Sequence, residues 1–168
     1  MYLIELLEIS VATLPITKRG ADKLKAELHQ LKAFERPAVI GAIAEARAQG
    51  DLSENAEYDA AKDKQGFIEG RIKEIEGKLS AAQIIDPADL HADGRVVFGS
   101  TVELADEETG QKVTYQIVGE DEADIKLGLL NVNSPIARAL IGKNEGDVAQ
   151  VLAPGGLREY EVVSVRYC

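Results

Sequence analysis

The chain is poor in cysteine, histidine and aromatic residues, and each shortage excludes a class of function. Its one cysteine, Cys168, has no partner for an internal disulfide, and with only two histidines it cannot complete a structural zinc site. Three Phe, five Tyr and no Trp offer few rings for stacking bases, which argues against a single-strand-binding platform. No apolar run approaches the roughly 18 residues that a membrane span needs. We therefore expect a cytoplasmic protein without a membrane partner.

Negative charge dominates, because 29 acidic residues outnumber 19 basic ones and leave a net charge of −10. Such a surface repels free nucleic acid over most of its area, so we expect the main partner to be a protein. The excess is uneven, since residues 13–86 are nearly neutral and residues 87–168 carry most of the negative charge. The chain therefore has two electrostatic halves.

Composition changes where the charge does, near Asp86. Before it, Ala, Lys, Glu, Gln and Leu recur at helical spacing, and after it Val, Tyr, Thr and Gly alternate as in strands. We predict a helical segment at 13–86, a linker at 87–93 and a second domain at 94–168. Residues 1–12 are apolar but lack the basic start and the cleavage site of a signal peptide, and we take them as an extension that need not be native.

The first half predicts two long antiparallel helices that form an α-helical hairpin. Thr17 is a good N-cap for the first helix, and Gly50 suits the position just after its end. Leu31 and Val39 in its apolar stripe are eight residues apart, which predicts a kink near Pro37. The second helix has regular apolar spacing at Ile68, Ile72, Ile75, Leu79 and Ala82. About 30 residues per helix give a rod of roughly 45 Å.

The turn between these helices is strongly acidic, with four carboxylates in the nine positions from Asp51 to Asp59. One interpretation is structural: Asp51 and Glu54 have the spacing of a capping box for the second helix. The other is that these two side chains present oxygen ligands to a hard cation such as Mg²⁺. The two interpretations are compatible, because a capping carboxylate keeps lone pairs for other partners.

The second half predicts a compact α+β domain. Alternating segments predict strands at 95–98, 101–104, 113–118, 147–152 and 160–167, with turns at 106–110 and at Gly155-Gly156. Ser134 and Pro135 have the spacing of the N-cap and first residue of one short helix, which ends before Gly142.

Four segments together resemble the bacterial Gre family of transcript-cleavage factors, its GreA branch in particular. The stretch at 36–86, which contains GDLSENAEY, is similar to the family's N-terminal coiled coil. Three further segments are similar to the family's C-terminal domain: GRVVFGSTVEL, YQIVGEDEAD and NVNSPIARALIGKNEGD. The resemblance covers residues 14–167 without large gaps and implies an FKBP-like fold for the second domain.

The resemblance implies a partner, bacterial RNA polymerase, and a function. A factor of this family binds polymerase stalled in a backtracked state and stimulates the polymerase's own cleavage of the RNA 3′ end. The C-terminal domain docks at the rim of the secondary channel, and the coiled coil enters that channel. Asp51 and Glu54 match the acids that help hold a second Mg²⁺, which the factor shares with polymerase and does not bind alone. The chain would then not be an enzyme and would carry no cofactor of its own.

The resemblance also suggests contacts for other residues. Near the tip, positions that match polymerase or RNA contacts of the family are Asn55, Glu57, Tyr58, Arg47 and Lys62. In the C-terminal domain, polymerase docking is placed around Asn133, Ser134, Pro135 and Arg138. Each of these has a structural alternative: turn stabilisation for the first three, a solvated helix face for Arg47 and Lys62, and caps or core packing for the docking set.

Three hypotheses about the function are compatible with the sequence. The first is the cleavage-stimulating factor, the second a related inhibitor that blocks the channel, and the third a coiled-coil adaptor without a part in chemistry. GDLSENAEY matches the activating pattern, whereas the inhibitory relatives carry altered acidic tips. A prolyl isomerase is disfavoured, because so few aromatics cannot line the apolar pocket that such a site needs. The hairpin buries its own seam, so a monomer is expected.

Overall fold

The computed structural model describes residues 13–51 and 55–168. The predicted extension at 1–12 and the candidate ligand Glu54 lie outside these residues. The helical half comprises β1 (Leu14–Thr17), α1 (Lys18–Gln30), a π-helical turn (Leu31–Glu35), α2 (Arg36–Ala48), α3 (Ala56–Ala81) and β2 (Ala82–Ile85). The second half comprises β3 (Thr101–Asp106), β4 (Lys112–Val118), β5 (Leu129–Asn131), α4 (Pro135–Leu140), β6 (Val148–Ala153) and β7 (Gly156–Arg166). Short 3₁₀ turns lie at Pro87–Asp89, Glu120–Glu122 and Ile125–Leu127.

The helical hairpin is confirmed, with α1 and α2 on one side and α3 on the other. The predicted stripe forms its seam, where Val39, Ile68 and Ile72 pack in one cluster. A second cluster at the base joins Ile16, Ala21, Leu24 and Ile75. At 1.5 Å per residue, the 26 residues of α3 make a rod about 39 Å long.

The irregularity predicted near Pro37 is a π-helical turn at Leu31–Glu35, directly before α2. A π turn adds one residue relative to an α-helix, and Pro37 needs no hydrogen-bond partner for a backbone N–H. The extra residue explains why Leu31 and Val39 are eight positions apart instead of seven. It returns the apolar stripe to the seam, so that Val39 is 2% exposed.

Ion pairs line the flanks of the seam. Arg71 on α3 binds Glu27 on α1 through two hydrogen bonds of 2.7 and 2.9 Å. Arg36 binds Glu69 in the same two-bond manner, at 2.6 and 2.8 Å. The hydrogen bond from Arg71 holds the pKa of Glu27 below its ordinary value. These pairs fix the register of the two helices, since each joins opposite sides of the hairpin.

The Glu27 to Arg71 pair predicts a pH-dependent contribution to stability. Because the folded-state pKa of Glu27 is lowered, its contribution is present above the ordinary carboxyl pKa and is lost as pH falls through the folded value. We expect Glu27→Gln to cost about 0.5 to 1 kcal/mol at pH 7, since both partners are partly exposed. In thermal unfolding, the difference from the wild type should shrink towards pH 3. A constant difference across that range would contradict the assignment.

The base of the hairpin is closed by β1 and β2, which pair in parallel from Leu14↔Ala82 to Thr17↔Ile85. This pair was not predicted, since four-residue strands show too little alternation to be distinguished from helix ends. Thr17 ends β1 and caps α1, and its hydroxyl accepts a 3.2 Å hydrogen bond from the Gly20 N–H. The prediction of Thr17 as N-cap is confirmed.

The second half is a five-stranded sheet in the order β5-β4-β3-β7-β6, so the α+β prediction is confirmed. Strands β3, β4, β6 and β7 overlap the predicted segments. The strand predicted at 95–98 is wrong, because there Arg95 forms a single bridge to Asn144 and no ladder. The short strand β5 was missed, and it pairs in parallel with β4. The core beneath α4 is formed by Val96, Val102, Leu104, Ile117, Leu140 and Val162.

The hairpin base contacts the C-terminal domain through the 3₁₀ turn Glu120–Glu122. The Thr17 N–H donates to the Glu122 carboxylate at 3.0 Å, and the Thr17 hydroxyl also bonds that carboxylate. Lys78 on α3 pairs with Asp121 at 2.5 Å.

Among the helices of the described residues, none combines the length and the apolar composition that a membrane span requires.

Candidate functional site

The candidate site is the tip of the hairpin, where α2 ends and α3 begins. α2 closes with Gln49 as C-cap, and Gly50 follows with φ of +135°, a conformation that favours glycine. The prediction of Gly50 just beyond the first helix is confirmed. Asp51 comes next and is exposed at the end of the rod. The chain reversal therefore delivers a carboxylate to the most distant part of the helical half.

Asn55 holds the two sides of the tip together. Its amide nitrogen donates to the Ala46 carbonyl of α2 at 2.8 Å, and its amide oxygen accepts from the Tyr58 N–H of α3 at 3.0 Å. Asn55 is thus the N-cap of α3, so the prediction of Asp51 in that role is wrong. The predicted pairing of Asp51 with Glu54 involves a residue outside the described ranges. Asparagine takes the place expected of the aspartate, because an amide, unlike a carboxylate, can donate across the turn while it accepts at the helix start.

Replacing Asn55 with Ala should loosen the tip. It removes an N-cap bond and a bond across the turn, each worth about 1 kcal/mol, so the free energy of unfolding should fall by about 2 kcal/mol. Amide exchange should accelerate at Tyr58 more than at the base of α3. Asn55→Asp is the matched variant, since it keeps the cap acceptor and loses only the donor to Ala46. Equal stability of both variants and the wild type would contradict the bridging role.

Arg47 and Tyr58 meet across the tip. The guanidinium carbon of Arg47 lies 5.9 Å from the centroid of the Tyr58 ring, which is within cation–π range. Arg47 is exposed and Tyr58 half-buried. Lys62 lies one helical turn further along α3, where its ammonium group contacts Gln65 at 3.2 Å. The structure thus gathers these three predicted residues near the tip and gives Tyr58 a packing role at the turn.

The charge at the tip is mixed, with cations on the helices and carboxylates at the reversal. Glu57 and Asp59 occupy the first turn of α3, where acidic side chains favour the positive end of the helix dipole. Carboxylate oxygens, which Asp51 brings to the turn, are the donors that Mg²⁺ prefers. No group of three or more His, Cys, Asp or Glu side chains in the described part of the chain is arranged to hold a metal ion. The Mg²⁺ site expected at the tip stays a prediction.

The predicted docking residues form one continuous turn before and within α4. Ser134 caps α4 by accepting from the Ala137 N–H at 3.3 Å, and Pro135 follows in the first turn, as predicted. Asn133, Pro135 and Arg138 are exposed, so their side chains are not part of the core. The turn is fixed from behind, because the Asn133 N–H donates to the Asn131 side chain at 2.8 Å.

Glu122 and Asp121, which join the hairpin base to the second domain, were not predicted from the sequence. Both lie in the acidic stretch Gly119 to Asp124, and the only available signal was that excess of carboxylates in one short segment. Their partners, Thr17 and Lys78, are far away in the sequence, so spacing alone could not pair them.

Family models match both halves of the chain. "Transcription elongation factor, N-terminal" matches residues 14–84, and "Transcription elongation factor, GreA/GreB, C-term" matches residues 91–167. A relative named transcription elongation factor GreA from Polaromonas naphthalenivorans is 76% identical over 157 residues, covering 94% of this chain and 99% of its own. A relative of the same name from Ralstonia nicotianae is 70% identical with the same coverage. Among solved structures, GreA factor homolog 1 of Thermus thermophilus is 29% identical with a TM-score of 0.42, covering 92% of this chain and 99% of its own.

Proposed function

This chain belongs to the GreA/GreB family of transcription elongation factors, and we propose that it acts on RNA polymerase halted by backtracking. In that state the RNA 3′ end is extruded from the active centre. The hairpin enters the secondary channel of polymerase and stimulates the polymerase's own cleavage of the extruded RNA. The observation that carries this proposal is the exposed Asp51 at the far end of a helical rod.

The dimensions of the hairpin support the proposed mode of action. α3 extends about 39 Å from the C-terminal domain to the tip, enough to reach a centre buried in a much larger enzyme. Buried apolar contacts between the helices stabilise this rod, because Val39, Ile68 and Ile75 are each at most 3% exposed. Asn55 then fixes the tip itself, so that the carboxylate arrives on a defined turn.

At the polymerase active centre, Asp51 and Glu54 would provide carboxylate oxygens to Mg²⁺ that polymerase already binds in part. When bound, that ion supplies charge stabilisation and an activated water for phosphodiester hydrolysis. The contribution of this chain is limited to ligands and their placement, and it is not itself an enzyme. Free in solution, the tip should have negligible affinity for Mg²⁺, because one or two carboxylates rarely overcome the hydration of the ion.

The other tip residues would guide RNA. Arg47 and Lys62 place positive charge on the two helices below the acidic turn, where an extruded phosphate backbone would pass. Tyr58, already packed beside Arg47, would offer an aromatic ring to an entering base. Asn55 and Glu57 would contact RNA or polymerase only at the edge of the turn, since both amide atoms of Asn55 already form hydrogen bonds within the tip.

Docking is assigned to the exposed turn of Asn133, Pro135 and Arg138, which Ser134 caps. The protein would bind the channel rim as a monomer, with this turn outside and the hairpin inside. This arrangement uses both domains at once, so that neither docking nor the acidic tip is sufficient alone.

The test is to add the protein to halted transcription complexes with Mg²⁺ and to size the RNA released. We expect di- and trinucleotides from the RNA 3′ end, and resumed elongation once nucleotides are added. Polymerase without the factor controls for its intrinsic cleavage. Tight binding without released RNA would instead favour the channel-blocking inhibitor, and the absence of binding would favour the adaptor.

A further inference from the structure

The junction between the hairpin base and the C-terminal domain carries an inference that rests on the proposed function. We propose that Glu122 is a positioning residue, a latch that sets the direction of the hairpin relative to the docking turn. It touches neither RNA nor the reacting atoms. It acts by holding the base of the rod, so that the tip meets the active centre once the second domain has docked.

The contacts of Glu122 join three backbone or side-chain groups from two domains. Its carboxylate accepts from the Thr17 N–H and from the Gly119 N–H, both at 3.0 Å, and also bonds the Thr17 hydroxyl. Thr17 is 1% exposed, so the hydrogen bonds of its N–H and hydroxyl are shielded from water. A carboxylate that accepts several hydrogen bonds at a partly buried junction makes a strong and directional contact.

The same threonine begins the rod, which couples the latch to the direction of α1. The Thr17 hydroxyl accepts from the Gly20 N–H of the first helical turn while it donates to Glu122. Any shift of the carboxylate therefore moves the group that caps α1. On the other helix, Lys78 reaches Asp121 in the same 3₁₀ turn. The turn thus holds both helices of the hairpin at their base.

Two glycines allow the domains to approach this closely. A methyl group on Gly20 would lie 2.2 Å from the carboxyl carbon of Glu122, and one on Gly119 would lie 2.9 Å from the Pro15 carbonyl oxygen. Neither glycine has a positive φ, so what requires them is space. By contrast, a methyl group on Gly77 of α3 would meet no atom of the surroundings within 4 Å.

The length of the rod makes this junction important for the reaction. A tilt of about 10° at the base of a helix of 39 Å would move its far end by roughly 7 Å. A misplacement of about 1 Å can already cost 100-fold in a catalysed step. Small changes at Glu122 should therefore reduce cleavage without affecting the docking turn.

The experiment compares Gly20→Ala with Gly77→Ala. Both gain helix propensity of about 1 kcal/mol, but only Gly20→Ala pushes the Glu122 carboxylate out of the junction. In a Cys168→Ser background, spin labels at Ala60→Cys near the tip and Glu108→Cys in the C-terminal domain report the interdomain distance. These two label sites are exposed. Cleavage and polymerase binding are measured in parallel without the labels.

We expect one narrow distance distribution for the wild type and for Gly77→Ala, and a broadened or shifted one for Gly20→Ala. Cleavage by Gly20→Ala should fall about tenfold or more at saturating factor, with polymerase affinity within about twofold. Glu122→Ala should reproduce both effects, and Glu120→Ala, an exposed neighbour in the same turn, should have neither.

An unchanged distance distribution in Gly20→Ala and Glu122→Ala would overturn the latch, whatever their cleavage rates. A broadened distribution with full cleavage would overturn the positioning role. If the wild-type protein stimulates no cleavage, the proposed function is refuted. If the wild-type protein is active and the Gly20→Ala and Glu122→Ala variants match it in cleavage and in interdomain distance, only this inference is refuted.

Discussion

Asp51→Asn should reduce stimulated RNA cleavage in backtracked complexes by about 100-fold, while polymerase affinity stays within about twofold. The amide keeps the shape of the side chain and removes the charge that would face Mg²⁺. Loss of one group that stabilises developing charge has an effect of this size in other active centres. Glu54→Gln should have a similar effect, and the double variant should not be additive if both bind one ion. The measurement is a single-turnover cleavage time course at saturating factor.

The matched control for this substitution is Asp63→Asn, an exposed aspartate further along α3. It removes the same charge from the same rod, at a position away from the turn. We expect the Asp63→Asn variant to stimulate RNA cleavage at the wild-type rate. Because Asn55 caps α3, the Asp51 variant keeps the N-cap hydrogen bond of that helix. Retained cleavage in Asp51→Asn would leave this acid without a role in the reaction.

Of the substitutions discussed, Ile75→Ala should lower the free energy of unfolding the most. Ile75 is 0% exposed and joins the base cluster of Ile16, Ala21 and Leu24. Truncating a buried isoleucine removes apolar contacts and leaves a cavity, which costs about 2 to 5 kcal/mol. We expect a value in the middle of this range by urea unfolding followed by circular dichroism. Stimulated cleavage should fall in step with the folded fraction.

Ile40→Ala is the control for this loss, because Ile40 is 52% exposed on α2 and lies outside the seam. Its cost should be within about 0.5 kcal/mol, as for most surface substitutions. Equal costs for the two variants would mean that the seam does not hold the hairpin together. The comparison separates burial from residue type, since both substitutions remove the same atoms.

The periodic parts of the fold could be predicted from the sequence, and the non-periodic parts could not. The stripe of Ile68, Ile72 and Ile75 defined α3, because a long repeat of apolar residues is a strong signal. The eight-residue step from Leu31 to Val39 located the irregularity but not its form as a π turn. The short strands β1, β2 and β5 were missed, since their pairing depends on residues distant in the sequence.

The candidate site was predicted in its position but not in its construction. The acidic run located the tip, and Gly50 located the end of the first helix. The capping residue was misassigned, because Asp51 and Asn55 are both good N-caps and only the structure shows which one meets Ala46 across the turn. Glu122 could not be predicted from the sequence, because its partners depend on how the two halves of the chain pack.

The parallel pairing of β1 with β2 has a consequence for the order of folding. These strands stand at opposite ends of the helical segment, so their contact closes a long loop and loses much chain entropy. The hairpin contacts near the tip are local and form at little entropic cost. The hairpin should therefore assemble from its tip towards its base, with the β1–β2 pair forming last.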